Sequence, residues 1–116
     1  MNIEEIRDFC VAKHAVEETF PFDSDTLVFK VAGKAFLLTS LQSPDSINLK
    51  CDPERAIELR EQYPAVIPGY HMNKKHWNTV LLDGSLSNKL VFSMIEDSYN
   101  LVVAGLTKKI RRDFGL

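Results

Sequence analysis

The sequence predicts an α+β fold, in which helices pack on one face of a mostly antiparallel sheet of about five strands. Three observations predict it. The elements follow in the order helix, several short strands, helix, strand and long helix, without the βαβ alternation of a parallel sheet. Residues 26–41 alternate as two strands joined by a tight turn. Residues 86–106 keep apolar side chains at helical spacing.

The first predicted element is a helix from about residue 3 to residue 13. Asn2 and Glu5 have the spacing of a capping box, in which a polar side chain bonds a free amide at the helix start. Apolar positions then recur at helical spacing: Ile3, Ile6, Phe9 and Cys10. We expect a short strand in the next segment, ETFPF, at residues 18–22.

The segment TLVFKVAGKAFLLTSL predicts a β-hairpin that turns at Ala32-Gly33. Apolar residues alternate along its first half, and Gly33 supplies the positive φ that a tight turn needs. SINLKCD, at residues 46–52, predicts a further strand after a turn at Pro44.

The second half of the chain predicts two more helices and a strand. Asp52 and Pro53 are typical of a helix start, and that helix ends before Pro64. A structured loop follows, with a short extended piece at residues 65–67 and a strand at WNTVLLD, residues 77–83. The long helix runs from about Leu86 to Leu106, and the tail KKIRRDFGL is predicted to continue it.

Length and composition bound the class of protein. The 116 residues predict a single domain over 1–116, and 45% hydrophobic with 26% charged residues is typical of a folded globular chain. No stretch is long and apolar enough to span a membrane, and the N-terminus does not resemble a signal peptide. Cys10 and Cys51 lie far apart with no C-x-x-C spacing, which favours a reducing compartment. We therefore expect a cytoplasmic protein.

The formal charge of -2 is unevenly distributed along the sequence. Residues 1–58 carry 6 Lys/Arg against 11 Asp/Glu, whereas residues 59–116 carry 8 against 5. Much of the late positive charge lies in two clusters: Lys74 and Lys75 in one loop, and Lys108, Lys109, Arg111 and Arg112 in the tail. Clustered cations bind anions more effectively than scattered ones.

The loop GYHMNKKHWNTV, residues 69–80, holds the candidate functional residues. His71 and His76 are five positions apart, which does not match the helical spacing of a zinc protease, and no acid or cysteine lies between them. The sequence nominates no nucleophile or base partner for either histidine. Its glycines are too far apart for a phosphate loop or dinucleotide motif. We therefore predict no metal, no cofactor and no enzymatic activity.

Several segments together resemble the MmcQ/YjbR family. They are F-P-F at 20–22, FKVAGKAF at 29–36, LKCDPE at 49–54, PGYHMNKKHWNTV at 68–80 and SYNLV at 98–102. The resemblance implies a two-layer sandwich similar to the CyaY/frataxin fold. It also implies DNA binding, because members are commonly described as DNA-binding proteins with a double-wing arrangement. The wings would be the Lys30–Lys34 hairpin and the loop that carries Lys74, Lys75, His76 and Asn78.

The sequence and the resemblance together favour a non-enzymatic module that binds DNA or another polyanion. Lys74 and Lys75 would hold phosphate, Asn73 and Asn78 would hydrogen-bond sugar or base, and Trp77 would stack or support the loop. The full candidate set is Lys34, Lys50, His71, Asn73, Lys74, Lys75, His76, Trp77 and Asn78, with the basic C-terminus as an outer contact.

Other functions remain open at this point. In the main alternative the loop is structural, Trp77 and Tyr70 lie in the core, and the domain binds a protein partner or a small ligand. Frataxin-like metal binding and a histidine-dependent enzyme are less favoured. The sequence predicts no oligomeric state.

Overall fold

The computed structural model describes residues 1–69 and 72–116, and the α+β prediction is confirmed. The helices described are α1 (Ile3–Val11), α2 (Pro53–Gln62), α3 (Asn88–Ala104) and α4 (Lys108–Asp113). The strands described are β1 (Val16–Thr19), β2 (Thr26–Val31), β3 (Lys34–Ser40), β4 (Ser46–Lys50), β5 (Val66–Pro68) and β6 (Trp77–Leu81). They form one antiparallel sheet in the order β1-β2-β3-β4-β6-β5, one strand more than expected.

Side-chain caps start the helices where polar residues precede an apolar run. The Asn2 side chain accepts from the Glu5 amide at 2.9 Å, and Asp52 accepts from the Arg55 amide at 3.2 Å. Both caps were predicted, because a short polar side chain can satisfy an amide that lacks a partner in the first turn. Helix α1 ends at Val11, two residues before the expected position.

The first strand lies earlier in the chain than predicted. It comprises Val16–Thr19 and pairs with β2, and Phe20 and Phe22 beyond it are exposed. The expected strand over residues 18–22 was therefore misplaced. Pro21 lacks the amide that a ladder requires, so pairing stops before it.

The sequence predicts that the basic tail continues α3, but the tail forms a separate helix, α4. Helix α3 ends at Ala104 with Gly105 as its cap, and the Thr107 hydroxyl accepts from the Ile110 amide at 3.2 Å to start α4. Glycine is a poor helix residue and threonine is a good N-cap, so the helix is interrupted here. The His14 Nε2 atom donates to the Phe114 carbonyl at 2.6 Å, which holds the end of the tail near α1.

The predicted hairpin is confirmed and contains a bulge. Ala32 and Gly33 have φ angles of 48° and 82°, as a two-residue turn with two positive φ angles requires. Phe29 pairs with Leu37 but Lys30 pairs with Ala35, so β3 has one extra residue at this point. That residue is Phe36, whose buried ring packs edge-on against the Tyr99 ring with 5.4 Å between the ring centroids.

The core lies between one face of the sheet and the helices. Helices α1, α2 and α3 contribute Ile6, Leu59 and Ile95, which pack with strand residues such as Leu37 and Ile47. Within the described residues, no helix is both long enough and apolar enough to cross a membrane. The packing fixes the sheet register and, with it, the positions of the candidate residues.

The antiparallel register brings distant segments to one end of the sheet, which we call the turn end. The β2–β3 turn defines it, and the last residue of β4 lies there because Leu49 pairs with Leu37 of β3. Lys50 pairs with Trp77, so β6 begins at the same end. The C-terminal part of helix α3 also lies at the turn end, because Ser98 is hydrogen-bonded to Lys50. We call the opposite end of the sheet the far end.

Candidate functional site

The loop between β5 and β6 is built largely by its own backbone. The His76 and Trp77 amides donate to the Asn73 carbonyl at 3.0 and 2.9 Å, and the Asn73 side chain accepts from the Lys75 amide at 3.0 Å. Such turns leave the intervening side chains outside. Lys74 and Lys75 are accordingly exposed at the turn end, together with Asn73. His71 and Tyr70 lie outside the described residues.

Arg60 and Asn78 anchor this loop to helix α2. The Arg60 Nε atom donates to the Asn78 side-chain oxygen at 2.7 Å, and its Nη2 atom donates to the Lys74 carbonyl. The Asn78 amide nitrogen donates to the Ala56 carbonyl at 3.5 Å. Asn78 is only 2% exposed, so its expected role as a sugar or base contact was wrong. Its polar groups are used inside the fold, as buried amides require.

Trp77 is partly exposed and begins β6 directly after the loop. Its carbonyl accepts from the Gly69 amide at 3.0 Å. A Cβ atom added at Gly69 would lie 3.1 Å from the Trp77 Cβ atom, so a larger residue there would crowd the tryptophan. His76 is also partly exposed, and its backbone carbonyl accepts from the Cys51 amide at 2.7 Å, which extends the pairing of β4 with β6.

A groove of about 370 Å³ opens at the turn end. We call it the turn-end groove. It combines two lysines, one aromatic residue and small or apolar residues, and of the described residues that line it none is acidic: Lys34, Ala35, Lys50, Trp77, Val102, Gly105 and Leu106. Three predicted site residues from separate segments, Lys34, Lys50 and Trp77, therefore meet at one place.

The groove lies where β3 and β4 separate. The Ser98 hydroxyl accepts from the Lys50 amide at 2.9 Å and donates to the Phe36 carbonyl at 2.6 Å. A helix side chain thus bridges two backbone groups of neighbouring strands beyond the last direct pair, Leu37 with Leu49. Sequence reasoning missed Ser98, because a serine within an apolar helix face gives no indication of which carbonyl it will reach.

Charge is polarised between the two ends of the sheet. Helix α4 follows the groove residue Leu106 and adds its four cations to those of the groove and the loop. The far end is mostly acidic because the other loops meet there: Asp23, Asp25, Asp45 and Asp83. The turn end also carries acidic residues, and one of them, Asp97, lies beside Lys50 and Cys51. The others are Glu17, Asp52, Glu54 and Asp113, so cations predominate there without being alone.

The two thiols are not arranged as nucleophiles. Burial raises the pKa of the Cys10 thiol to about 12. Burial, with the charge of Asp52, also raises the pKa of Cys51. A thiol with a raised pKa stays protonated and is a weak nucleophile at neutral pH. In the described part of the chain, no group of three or more His, Cys, Asp or Glu residues could hold a metal ion.

The chain is similar to one protein family over most of its length. A family model described as YjbR matches residues 11–101. The uncharacterized protein YjbR of Escherichia coli (strain K12) is 34% identical over 113 residues, which are 97% of this chain and 96% of that protein. The uncharacterized protein YbdF of Escherichia coli O157:H7 is 46% identical over 95 residues, covering 81% and 78%.

Solved structures are also similar to this chain over most of its length. The crystal structure of Deinococcus radiodurans protein DR2400, described as a DUF419 domain, matches with a TM-score of 0.93 and 43% identity over 99% of this chain and 88% of that one. A crystal structure from Pseudomonas syringae matches with a TM-score of 0.75 and 34% identity over 87% of this chain and 98% of that one. The names of these relatives specify neither a ligand nor a reaction.

Proposed function

This chain belongs to the MmcQ/YjbR family, and from that premise we propose that it is a non-enzymatic module that binds DNA through the turn end. In this proposal the β2–β3 hairpin and the loop at residues 72–76 would act as the two wings that the family resemblance implies. Free thiols at Cys10 and Cys51 fit a reducing compartment, and we propose a cytoplasmic location.

The convergence of cations from separate segments is the observation that carries this proposal. Lys34 of the hairpin and Lys50 of β4 line one groove. Lys74 and Lys75 precede β6, which begins at the same end of the sheet, and α4 with four more cations begins two residues after the groove residue Leu106. Phosphate neutralisation by lysine and arginine supplies most of the sequence-independent affinity of DNA-binding proteins. A polarised surface also steers an anion to its positive end, even where the whole protein has a pI of about 5.9.

The site residues divide into contact residues and supporting residues. Exposed Lys74 and Lys75 are placed to meet phosphates, which fixes the position of the protein on its ligand. Arg60 and Asn78 support the loop from inside, as does the side chain of Asn73. Trp77 offers a ring beside the lysines, as in many single-strand binding surfaces.

Fluorescence anisotropy with labelled DNA at several salt concentrations tests the proposal. The double variant Lys74→Ala, Lys75→Ala should bind more weakly, and its slope of log affinity against log salt should fall by about 1.4–1.8 if both lysines contact phosphate. Lys89→Ala, at the far end of the molecule, is the control for a comparison with Lys74→Ala alone. Binding that is insensitive to salt, or equal losses in the two single variants, would contradict the proposal.

A second candidate function is the binding of a small ligand in the turn-end groove, with the loop as a structural element. The apolar side chains of Val102 and Leu106 favour it, because small-molecule sites are mostly apolar with a few polar groups. Trp77 emission tests it, because Trp77 lines the groove: an emission shift on addition of a small apolar probe such as anilinonaphthalene sulfonate, in a protein that binds no DNA, would favour this function.

A further inference from the structure

We propose that the turn-end groove holds one unpaired nucleotide of single-stranded DNA, with its base against Trp77 and its phosphate at Lys34 and Lys50. The inference rests on the proposed function and specifies which form of DNA is bound. It assigns the groove a role separate from that of the loop lysines, which would follow the backbone outside it.

The size and shape of the groove favour a single base. Its volume of about 370 Å³ falls within the range of pockets that hold small organic ligands. The small residues Ala35 and Gly105 leave room at the walls, and Val102 and Leu106 offer apolar contact. A base within a duplex is stacked and paired, so it can enter such a groove only when it is unpaired.

The charge of the groove favours a phosphate beside that base. Lys34 and Lys50 come from neighbouring strands, and no acidic residue is found among the described residues that line the groove. Lysine binds phosphate as a point charge, and an aromatic ring accepts the face of any base. We therefore expect little sequence preference.

The groove is also held open before any ligand binds. Ser98 bridges the Lys50 amide and the Phe36 carbonyl, and Lys50 pairs with Trp77 across β4 and β6. Lys34 pairs with Val31 of β2, so the backbones of all three contact residues are held in place by the sheet. A preformed site avoids part of the entropy that ordering a loop would cost.

A variant that fills the groove without changing charge provides the test. Gly105 has φ -84° and ψ -5°, which any residue adopts, and a Cβ atom added there would meet only the Leu101 and Val102 carbonyls at 3.6 Å. Gly105→Leu should therefore fold, and its thermal midpoint is measured first. The control is Ala104→Leu, an exposed neighbour that does not line the groove.

Binding is measured with short oligothymidylate, with a duplex of equal length and with thymidine monophosphate, by anisotropy or by Trp77 emission. Oligothymidylate should quench Trp77 in the natural protein. Gly105→Leu should weaken oligothymidylate binding by about tenfold, the usual size of one stacking contact, and leave duplex binding unchanged. Ala104→Leu should bind like the natural protein.

The possible outcomes separate this inference from the proposed function. Unchanged oligothymidylate binding by a folded Gly105→Leu protein would overturn the inference, and a salt-dependent loss in Lys74→Ala, Lys75→Ala would leave DNA binding standing. Equal affinity for thymidine monophosphate and oligothymidylate would overturn the assignment to a single strand. No binding of any DNA would overturn the proposed function itself.

Discussion

At the residue scale, Arg60 is the side chain on which the loop depends most directly. One guanidinium bonds both the buried Asn78 and the Lys74 carbonyl. We predict that Arg60→Met lowers the free energy of unfolding by about 1–3 kcal/mol, because it leaves the buried amide oxygen of Asn78 without its donor. Urea denaturation measures this. Arg55→Met on the same helix removes only an exposed ion pair with Glu58 and should cost less than about 1 kcal/mol. Equal losses would show that Arg60 does not support the loop.

Cys10 gives the protein a specific pH dependence. The folded-state pKa of about 12 is above the usual thiol value of roughly 8.5, so the folded state favours the protonated thiol. The resulting stability is complete below the unfolded-state pKa and is lost as pH rises through the folded-state pKa. We predict that unfolding free energy falls between about pH 8.5 and 12, and that Cys10→Ala, although less stable at neutral pH, loses less over this window. Parallel pH profiles in urea denaturation would contradict this.

Residue parity shows what the sequence could reveal about the site. Strand side chains alternate between faces, so Asn78 shares a face with the buried Val80, whereas Trp77 and Thr79 face the other way. The alternation alone does not tell which face is buried, because Trp77 and Leu81 on one face are as apolar as Val80 and Leu82 on the other. The exposure of Lys74 and Lys75 follows from local sequence and was predicted. The bond from Arg60 was not predictable, because it joins residues of two elements whose packing depends on the whole fold.

At the element scale, Ser98 connects helix α3 to the sheet. We predict that Ser98→Ala destabilises the protein by about 2–4 kcal/mol, because the Lys50 amide and the Phe36 carbonyl both lose their partner. The Lys50 amide should also exchange its hydrogen faster. Ser93→Ala is the matched control, since its hydroxyl lies on the exposed side of the same helix. A similarly small effect of both substitutions would mean that the two strands pair without the serine.

Elements were predicted well where the signal is local and poorly where it is not. The turn at Ala32-Gly33 and the cap at Asp52 depend on a few neighbouring residues, and both are confirmed. The bulge at Phe36 depends on Tyr99 and Ser98 of α3, which are distant in sequence. The groove depends on the same long-range register. Lys34, Lys50 and Trp77 could be predicted as site residues, but their convergence with Val102 and Leu106 of the α3 end could not.

At the scale of the whole molecule, the fold separates charge between a mostly basic turn end and a mostly acidic far end, and this separation differs from the charge asymmetry along the chain. The acidic first half and basic second half only approximate the observed division, because Lys34 and Lys50 belong to the acidic half but lie at the basic turn end. Antiparallel pairing places them there. Net charge therefore does not describe the surface potential at the turn end, which depends on the position of each charge.

The C-terminal helix gives the sharpest test of that statement. Changing Lys108, Lys109, Arg111 and Arg112 to Gln lowers the formal charge from -2 to -6. We predict weaker DNA binding and a smaller salt slope, because these exposed cations extend the turn end beside the groove. Anisotropy titrations over a range of salt concentrations measure both effects.

The matched control changes net charge at the far end instead. Asp45→Asn with Asp83→Asn raises the formal charge from -2 to 0 without touching the turn end. If the position of a charge determines DNA affinity, this double variant should change that affinity only slightly and only at low salt. The reason is that charges are screened over a Debye length of about 10 Å at 0.1 M salt, so charges at the far end have little effect at the turn end. Affinity that followed net charge across both variants would instead indicate that the whole molecule, and not the turn end, attracts the anion.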